Sequence, residues 1–374
     1  MLDKHLHIIA FAPPYPPTYG GIIEVFYKLK YLSEQGVKIH LHTFTYRDKK
    51  AHPALADYCA TVNYYPRKTG FLSAISTKPY IVKSRIDNTL IDNLSKDNYP
   101  ILFDGLHTCG IINNKKLLHK KKIFREHNIE HDYYYHLYKA EKNIFKKIFF
   151  LTESIKLKRF ESILEKADVI LSVNKHDTTY FKKTFPKVNT TQISLFHENN
   201  DINIEQGKGK YALYHGNLEV SENSKAAEYL IKNIFSKIEI PFIISGNNPP
   251  QHIIQLAKQY AWIKIIANPD NKEMLQLIRN AHVHTLITFQ PTGLKLKLLN
   301  TLFNGRFIVA NSNMLYGTTL SNTCNVADND NNFQQQITTL FNQSFGDKDI
   351  LLRQESIKAY TNNYNIKKLL QLLY

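Results

Sequence analysis

One segment decides the fold, and it extends from Pro291 to Asn311 with the sequence PTGLKLKLLNTLFNGRFIVAN. Neighbours on a helix recur every three or four residues, so a helix that begins near Gly293 has one apolar stripe and one polar stripe. The apolar stripe consists of Leu294, Leu298, Thr301 and Leu302, and the polar stripe of Gly293, Lys297, Asn300 and Asn304. Gly305 ends this helix, and Phe307 to Ala310 then forms a buried strand. The segment therefore predicts the loop, helix, glycine and strand unit of an α/β protein.

Two lysines, Lys295 and Lys297, lie at the start of this predicted helix. Ammonium groups at a helix start oppose the macrodipole unless an anion is held there with them. A phosphate or diphosphate would resolve the conflict, because ammonium groups and backbone amides could share it. The alternative is that both lysines extend along their alkyl chains into solvent.

The same alternation of short apolar runs and helix-length segments continues along the chain. In the first half the runs are His7 to Ala12, Ile39 to Phe44, Ile101 to Phe103, Ile123 to Arg125, Val169 to Val173 and Ile193 to Phe196. In the second half they are Tyr211 to His215, Phe242 to Ser245, Ile263 to Ala267, Val283 to Phe289 and Phe307 to Ala310. Strands that alternate with helices predict parallel sheets, and the Asn-rich segment His197 to Lys210 predicts a linker.

Two such halves predict two doubly wound, Rossmann-like α/β domains that face each other across a cleft. We assign residues 1–200 to the N-terminal domain, 208–350 to the C-terminal domain and 351–374 to a helical segment. The length of 374 residues agrees with this division, since one core seldom serves so long a chain.

Composition narrows the class of protein further. An apolar content of 43% and a charged content of 21% are typical of a globular protein. The formal charge of +16 favours nucleic acid, an anionic membrane surface or a phosphorylated small molecule as a partner, or else reflects lysines scattered over solvated faces. The three cysteines lie far apart in the sequence, which predicts a cytoplasmic protein without disulfides, and they lack the spacing of metal ligands. The amino terminus has only a short apolar run before prolines, so no membrane span is expected there.

In an open parallel sheet, ligands bind where strands end and helices begin. In the first half, Gly20 and Gly21 follow the first strand and let backbone amides approach an anion, although a simple tight turn would also explain the pair. The segment DGLHTCG contributes Asp104 and His107 after another strand. The segment REHNIEH adds Arg125, His127 and Glu130. Such residues can bind sugar hydroxyls or move protons, and any single histidine can also serve a structural hydrogen bond.

The second half offers a similar set of strand-end positions. The segment YHGNLEVSENSKAAEYL predicts a strand, a loop with Gly216 and Asn217, and a helix that begins near Ser221 and includes Asn223. Gly246 follows the next strand. Thr292 and Gly293 precede the two lysines of the opening segment.

The order of these motifs resembles that of a known enzyme family. GGIIEV, DGLHTCG, REHNIEH, YHGNLEVSENSKA, FIISG and TGLKLKLLNTLFNGRFIVAN follow one another as in the retaining glycosyltransferases of the GT-B fold, family 4 type. The similarity covers nearly the whole chain and is greatest to a branch that builds bacterial envelope polysaccharides. It implies transfer of a sugar from a nucleotide-diphosphate donor to a glycan or a lipid-linked glycan. If Lys295, Lys297 and the amides near Gly216 stabilise the leaving diphosphate, no cofactor or metal is expected. The resemblance also implies a C-terminal helix that packs back toward the N-terminal domain.

The resemblance assigns roles by position. Gly20 and Gly21 match a loop that faces the donor diphosphate, and His107 matches a histidine beside the transferred sugar. The REHNIE segment, with Arg125, His127 and Glu130, matches a stretch that lines the acceptor side of the cleft. Lys297 matches the lysine of the pattern GG-x-R-x-K-x-x-E, and Lys295 stands where the pattern has Arg. Together with the strand-end positions named above, the predicted donor-binding residues also include Gly216, Asn217, Asn223, Gly246, Thr292, Gly293 and Asn300.

Two positions depart from the family pattern. Asn300 replaces the acidic residue that binds the nucleotide ribose in many members, and Asn217 replaces an arginine. An amide can still bind a hydroxyl, but a charged acceptor binds it more strongly. Two other functions are therefore considered: a non-catalytic protein that binds a sugar nucleotide or a partner enzyme, and a nucleotide-sugar epimerase of the same fold.

Other features are judged against simpler interpretations. Asp328 and Asp330 form a DND sequence in an Asn-rich patch, where solvated carboxylates are expected rather than a metal site. The chain lacks the glycine patterns of nicotinamide and P-loop enzymes. Basic residues concentrate at Lys115 to Lys122 and Lys142 to Phe160, and the second segment is interleaved with apolar residues. This favours peripheral docking on an anionic membrane over nucleic-acid binding, with an ordinary packed helix as the alternative.

Overall fold

The computed structural model describes residues 3–47, 50–70, 73 and 76–374. The chain divides into two compact units. The first comprises 1–198 and 362–374, and the second comprises 199–361.

The first unit contains a seven-stranded parallel sheet in the order β3-β2-β1-β4-β5-β6-β7. Its strands are β1 His5–Ala10, β2 Lys38–Thr45, β3 Thr61–Pro66, β4 Ile101–Asp104, β5 Lys122–Arg125, β6 Val169–Ser172 and β7 Asn189–Gln192. Its α-helices include Gly20–Glu34, Tyr80–Lys83, Asn88–Leu94, Glu130–Ala140, Ile144–Phe160, Lys175–Thr184 and Asn362–Leu373. The strand order reverses beside β1, as in doubly wound folds, and ligands bind at such a reversal.

Apolar side chains cover both faces of this sheet, because successive residues of a strand point to opposite faces. Along β1, Leu6 and Ile8 enter one buried cluster and Ile9 enters another. The C-terminal helix contributes Ile366 and Leu369 to the cluster of Leu6. The prediction that the last helix packs with the N-terminal domain is therefore confirmed.

The second unit contains a six-stranded parallel sheet in the order β10-β9-β8-β11-β12-β13. Its strands are β8 Ala212–His215, β9 Phe242–Gly246, β10 Ile263–Ala267, β11 Val283–Leu286, β12 Phe307–Ala310 and β13 Asn325–Val326. Its α-helices include Ser221–Tyr229, Gln251–Ala257, Asn271–Asn280, Leu296–Asn304, Asp330–Asn342 and Asp347–Ser356. The predicted fold class, with two doubly wound parallel sheets, is confirmed.

The opening segment folds as a loop, a helix and a strand, but the helix begins later than predicted. It spans Leu296–Asn304, and Lys295 is its N-cap with extended backbone angles. Gly293 has a φ of 60° and belongs to the preceding loop, which explains the need for glycine there. The predicted apolar stripe is buried throughout, from Leu294 to Leu302.

Gly305 follows the helix for a reason other than the one predicted. Its φ is −107°, so it is not a left-handed cap. A Cβ at this position would lie 2.3 Å from Nε2 of the buried His284. Glycine is therefore required because a histidine from β11 occupies the space.

Two further differences concern edge strands and boundaries. The edge strand β7 is polar and lies before Ile193 to Phe196, which is buried but outside the sheet. The polar strands β3 and β13 lack the apolar pattern that predicted the central strands. The predicted segment 351–374 is shared between the units, since Asn362 begins the part that joins the first. Among the described residues, we find no helix with the length and apolarity needed to span a membrane.

Candidate functional site

In the second unit, Lys297 is held at the carboxyl end of β8. Its Nζ donates to Oδ1 of Asn223 at 2.7 Å and to the hydroxyl of Tyr214 at 3.3 Å. The ammonium group also lies 4.9 Å from the centre of the Tyr214 ring. Burial lowers the pKa of Lys297 to about 8, with the carboxylate of Glu222 opposing the shift and Lys295 adding to it. The site therefore holds a partly desolvated cation.

Lys295 bends back onto its own loop. Its Nζ donates to the carbonyl of Thr292 at 2.6 Å, and burial lowers its pKa despite the nearby charge of Glu222. The alternative that both lysines extend into solvent is excluded, because Lys295 and Lys297 are both part-buried and hydrogen-bonded.

Glu222 is a site residue that the sequence analysis missed. It lies in the first turn of the helix Ser221–Tyr229, and its carboxylate accepts a hydrogen bond from Thr288. It acts on the pKa values of both lysines. A carboxylate in the first turn of a helix is common, so the sequence alone gave no sign of this role.

Gly216 and Gly246 permit a close approach of backbone and side chains. A Cβ on Gly216 would lie 3.2 Å from Nζ of Lys297 and 3.3 Å from Cγ of Asn223. A Cβ on Gly246 would lie 1.7 Å from the carbonyl oxygen of Gly216. Larger residues would displace the loop against which Lys297 is placed.

Asn217 and Asn223 hold the loop between β8 and its helix. Asn223 donates through Nδ2 to the carbonyl of Asn217 at 2.9 Å, and Oδ1 of Asn217 accepts from the amide of Glu219 at 3.1 Å. Asn223 thus joins the loop backbone to Lys297.

Asn300 belongs to a cluster of three asparagines. Its Oδ1 accepts from Nδ2 of Asn199 at 2.9 Å, and Oδ1 of Asn199 accepts from Nδ2 of Asn304 at 2.7 Å. Asn300 stands where many family members have an acidic residue, and its hydrogen-bond partner is the amide of Asn199. Sequence reasoning did not find Asn199, which lies about a hundred residues earlier in the chain.

In the first unit, Asp104 is the centre of a buried charge network. It accepts hydrogen bonds from Lys28 and His127. Burial opposes its ionisation, but the charges of Lys28 and His127 prevail and lower its pKa. Glu24 joins the network through Lys28 at 2.9 Å. Although Glu24, Asp104 and His127 are close enough to hold a metal ion, the ammonium group of Lys28 already contacts both carboxylates.

Arg125 lies in the interior of the same network. Its guanidinium group donates to Glu24 at 3.0 Å and to the carbonyls of Ile193 and Ser194 at 2.6 and 2.9 Å. The residue is 1% exposed. This geometry favours a structural role for Arg125 over the predicted contact with an acceptor.

His107 and Glu130 lie side by side. Nδ1 of His107 is 3.9 Å from Oε1 of Glu130, too far for a hydrogen bond, and its ring stacks on Phe11 with 5.3 Å between centroids. Burial lowers the pKa of His107 far below its ordinary value, and Arg85 adds to this shift. Burial and the charge of Glu161 raise the pKa of Glu130 to about 8. At pH 7 the histidine is neutral and the carboxyl largely protonated.

Gly20 and Gly21 begin the helix Gly20–Glu34 rather than preceding it. Both glycines therefore lie in the first helical turn and do not form a separate tight turn before it. A Cβ on Gly21 would lie 3.0 Å from the ring of Phe11, the residue that stacks on His107. Within the first unit, His107 and the start of this helix thus lie against Phe11, and Glu130 lies beside His107.

The two units together have the GT-B fold, and comparison with solved structures confirms this class. A sucrose-phosphate synthase from Thermosynechococcus elongatus aligns with 99% of this chain and 98% of its own, with a TM-score of 0.70 and 13% identity. A glycosyltransferase from Rickettsia africae aligns with 100% of this chain and 98% of its own, with a TM-score of 0.67 and 12% identity.

Two further relatives complete the comparison. A mutant of TarM from S. aureus, in complex with fondaparinux, alpha-GlcNAc-glycerol and UDP, aligns with 99% of both chains at a TM-score of 0.67 and 11% identity. In sequence, the chain is 24% identical over 387 residues, covering 96% of each protein, to an uncharacterized 44.6 kDa protein in the cps region of Klebsiella pneumoniae. No protein-family model matches the chain.

Proposed function

We propose that this protein is a retaining glycosyltransferase of the family 4 type, which moves a sugar from a nucleotide-diphosphate donor to a hydroxyl of a glycan or lipid-linked glycan. The observation that carries the proposal is Lys297, a partly desolvated ammonium group fixed by Asn223 and Tyr214 beside Gly216. Such a group suits a diphosphate, because an anion would restore its favoured charged form. The Klebsiella relative lies in a cps region, and cps stands for capsule polysaccharide. This location supports a role in the cell envelope.

The proposed chemistry is electrostatic. The bond between the anomeric carbon and the diphosphate oxygen breaks, and a bond to the acceptor oxygen forms on the same face of the sugar. The proton of the acceptor hydroxyl passes to the leaving diphosphate oxygen. Lys297, Lys295 and the amides near Gly216 stabilise the charge that grows on the leaving diphosphate, in the place where other enzymes use a metal ion. Lys295 would exchange the carbonyl of Thr292 for a phosphate oxygen when donor binds.

The first unit supplies the groups for sugar and acceptor in this proposal. His107, as a neutral imidazole, orients the transferred sugar. Glu130, as a protonated carboxyl, donates a hydrogen bond to the acceptor. Both protonation states follow from the pKa shifts, which keep His107 uncharged and Glu130 largely protonated at pH 7. His127 is hydrogen-bonded to Asp104 and therefore positions the loop between β5 and the helix Glu130–Ala140.

A panel of UDP, GDP and dTDP sugars in titration calorimetry tests the function. The glycosyltransferase proposal expects one nucleotide class to bind, and product with retained anomeric configuration when acceptor glycans are added. Binding followed by epimer formation without acceptor identifies the epimerase alternative. Binding without any turnover favours a non-catalytic protein that binds a sugar nucleotide. Absence of binding contradicts both enzyme functions and leaves only a non-catalytic protein that binds a partner enzyme.

We further propose that the protein works in the cytoplasm on an anionic membrane surface. An apolar tip, defined as Ile144, Phe145, Ile148 and Phe149, occupies the first turns of the helix Ile144–Phe160. Phe145 is 80% exposed and Ile148 is 55% exposed. The flanking Lys142 and Lys146 are also exposed. Apolar side chains between lysines suit the boundary between lipid headgroups and acyl chains.

Sedimentation with lipid vesicles tests this docking. The full chain is expected to bind vesicles that contain phosphatidylglycerol more than vesicles of phosphatidylcholine alone, and salt should weaken the binding. The double variant Phe145→Ser, Ile148→Ser should lose most of it. Leu351→Ser is the matched control, because Leu351 is 60% exposed on a helix of the second unit. Equal binding of both variants would contradict the proposal.

A further inference from the structure

A cavity lined by His107 also has arginines in its wall. It has a volume of about 320 Å³, and its wall includes Phe11, Tyr19, Tyr46, Arg67, Arg85 and His107. A second cavity of about 480 Å³ shares Tyr46 and Arg67 with the first and adds Arg47 and Lys50. Among the residues that the structure describes, no aspartate or glutamate lines either cavity.

Arg85 is the best-fixed cation of this wall. It is 7% exposed, and among the described residues it donates to two neutral groups, the carbonyls of Phe11 at 2.8 Å and Ile81 at 2.6 Å. Burial and the neighbouring Arg67 lower its pKa to about 9. Burial and Glu161 raise the pKa of the Glu130 carboxyl to about 8, although the charge of Arg85 lowers it, so Glu130 is largely protonated at pH 7. The charge of Arg85 is therefore not balanced by a carboxylate within the described part of the first unit.

Arg67 presents a second guanidinium group at the junction of the two cavities. Its Nε donates to the hydroxyl of Ser84 at 3.1 Å, and its guanidinium carbon lies 5.1 and 5.3 Å from the ring centres of Tyr46 and Tyr80. These contacts fix the plane of the group but do not neutralise it. Arginine in a fixed plane binds carboxylate or phosphate with two parallel hydrogen bonds.

We propose that these two cavities, which share Tyr46 and Arg67, form a subsite for an anionic group, a phosphate or a carboxylate, carried by the acceptor sugar or its carrier. A buried unpaired charge is costly, and a ligand that supplies the opposite charge recovers that cost on binding. The rings of Phe11, Tyr19 and Tyr46 provide apolar walls against which a sugar can pack. Only the assignment to the acceptor depends on the proposed function, since the anion site itself depends on Arg67 and Arg85.

The test uses the full chain and three small probes in ligand-observed NMR titrations. The probes are glucose 1-phosphate, methyl glucuronide and the neutral control methyl glucoside. One anionic probe should bind at least about tenfold more tightly than methyl glucoside, because a hydrogen bond to a charged group contributes about 1.5–3 kcal/mol. The anionic probe that binds more tightly shows whether the site prefers a phosphate or a carboxylate. Equal affinity for the charged and neutral probes would overturn the proposal.

Variants connect the binding to the cavity. Arg67→Gln should remove the preference for the anion, and Arg67→Lys should keep part of it. Arg159→Gln should leave the preference unchanged, since Arg159 is exposed in the last turn of the helix Ile144–Phe160 and lines neither cavity. Arg85→Gln is a second probe if its thermal melting shows a folded protein. Anion binding that survives Arg67→Gln in a folded chain refutes the site.

Nucleotide binding separates this inference from the proposed function. Arg67→Gln should bind nucleoside diphosphate as well as the wild type, and an equal loss of both ligands would assign the cavity to the donor and refute the acceptor subsite. A chain that binds the anionic sugar but no nucleotide contradicts the proposed function and leaves the anion site standing.

Discussion

Replacement of Lys297 by methionine separates a role in donor binding from a role in folding. Lys297→Met keeps the length of the side chain but removes the ammonium group that contacts Asn223 and Tyr214. A hydrogen bond to a charged group contributes about 1.5–3 kcal/mol. Since about 1.4 kcal/mol is a factor of ten in Kd, the loss of one bond to the diphosphate predicts weakening by about 10- to 150-fold.

The same substitution should have little effect on stability. The pKa of Lys297 is lowered from 10.5 to about 8, so the unliganded fold disfavours the charge that methionine removes. The lost contacts with Asn223 and Tyr214 oppose this gain. The two effects should leave the melting temperature within about 4 °C of the wild type, which corresponds to about 1 kcal/mol for a domain of this size.

Calorimetry and thermal melting measure the two quantities on the same samples. The ligand is the nucleoside diphosphate that the wild-type chain binds out of UDP, GDP and dTDP. Lys258→Met is the matched control, because Lys258 is exposed at the end of the helix Gln251–Ala257. If affinity and stability fall by equivalent free energies, or if affinity does not change, Lys297 is a structural residue and the reasoning is refuted.

Three further predictions concern the charge of Lys297, the carboxyl of Glu130 and the backbone at Gly246. Diphosphate binding favours the ammonium form of Lys297, so affinity should fall as pH rises through about 8, and calorimetry should show that Lys297→Met lacks this slope. Glu130 has a folded-state pKa of about 8 against an ordinary 4.5, so its contribution to stability is present below pH 4.5 and is lost as pH rises through 8. Urea unfolding should therefore show that Glu130→Gln becomes more stable relative to wild type over this pH range. Parallel stability curves for the two proteins would contradict this prediction. Gly246→Ala should lower the free energy of unfolding by about 1–3 kcal/mol or more, because its Cβ would meet the carbonyl oxygen of Gly216, whereas Gly70→Ala has open space and should be neutral.

The sequence predicted the central strands well because each is a short apolar run covered on both faces. Edge strands were harder to predict. Thr190 in β7 lies at an edge, where polar residues are tolerated, so the prediction moved to the more apolar Ile193 to Phe196. The start of the helix at Leu296 was also missed, because Gly293 and Lys295 can continue the helical pattern although they form a loop.

The candidate site was predictable only where the residues lie in one segment or follow a motif. Lys297, Gly216 and Asn223, which the sequence places at strand ends of one sheet, lie together in the structure. Glu222 and Asn199 were not found, because their roles depend on contacts between residues far apart in the chain. The cations around Arg85 were missed for the same reason, since an unpaired charge is visible only when its surroundings are known.

The most direct test of the central claim is a crystal structure of the full chain with the nucleoside diphosphate that it binds. The account predicts the diphosphate beside Gly216, with a phosphate oxygen within hydrogen-bonding distance of Nζ of Lys297. A nucleotide bound elsewhere, with Lys297 still held only by Asn223 and Tyr214, would contradict it.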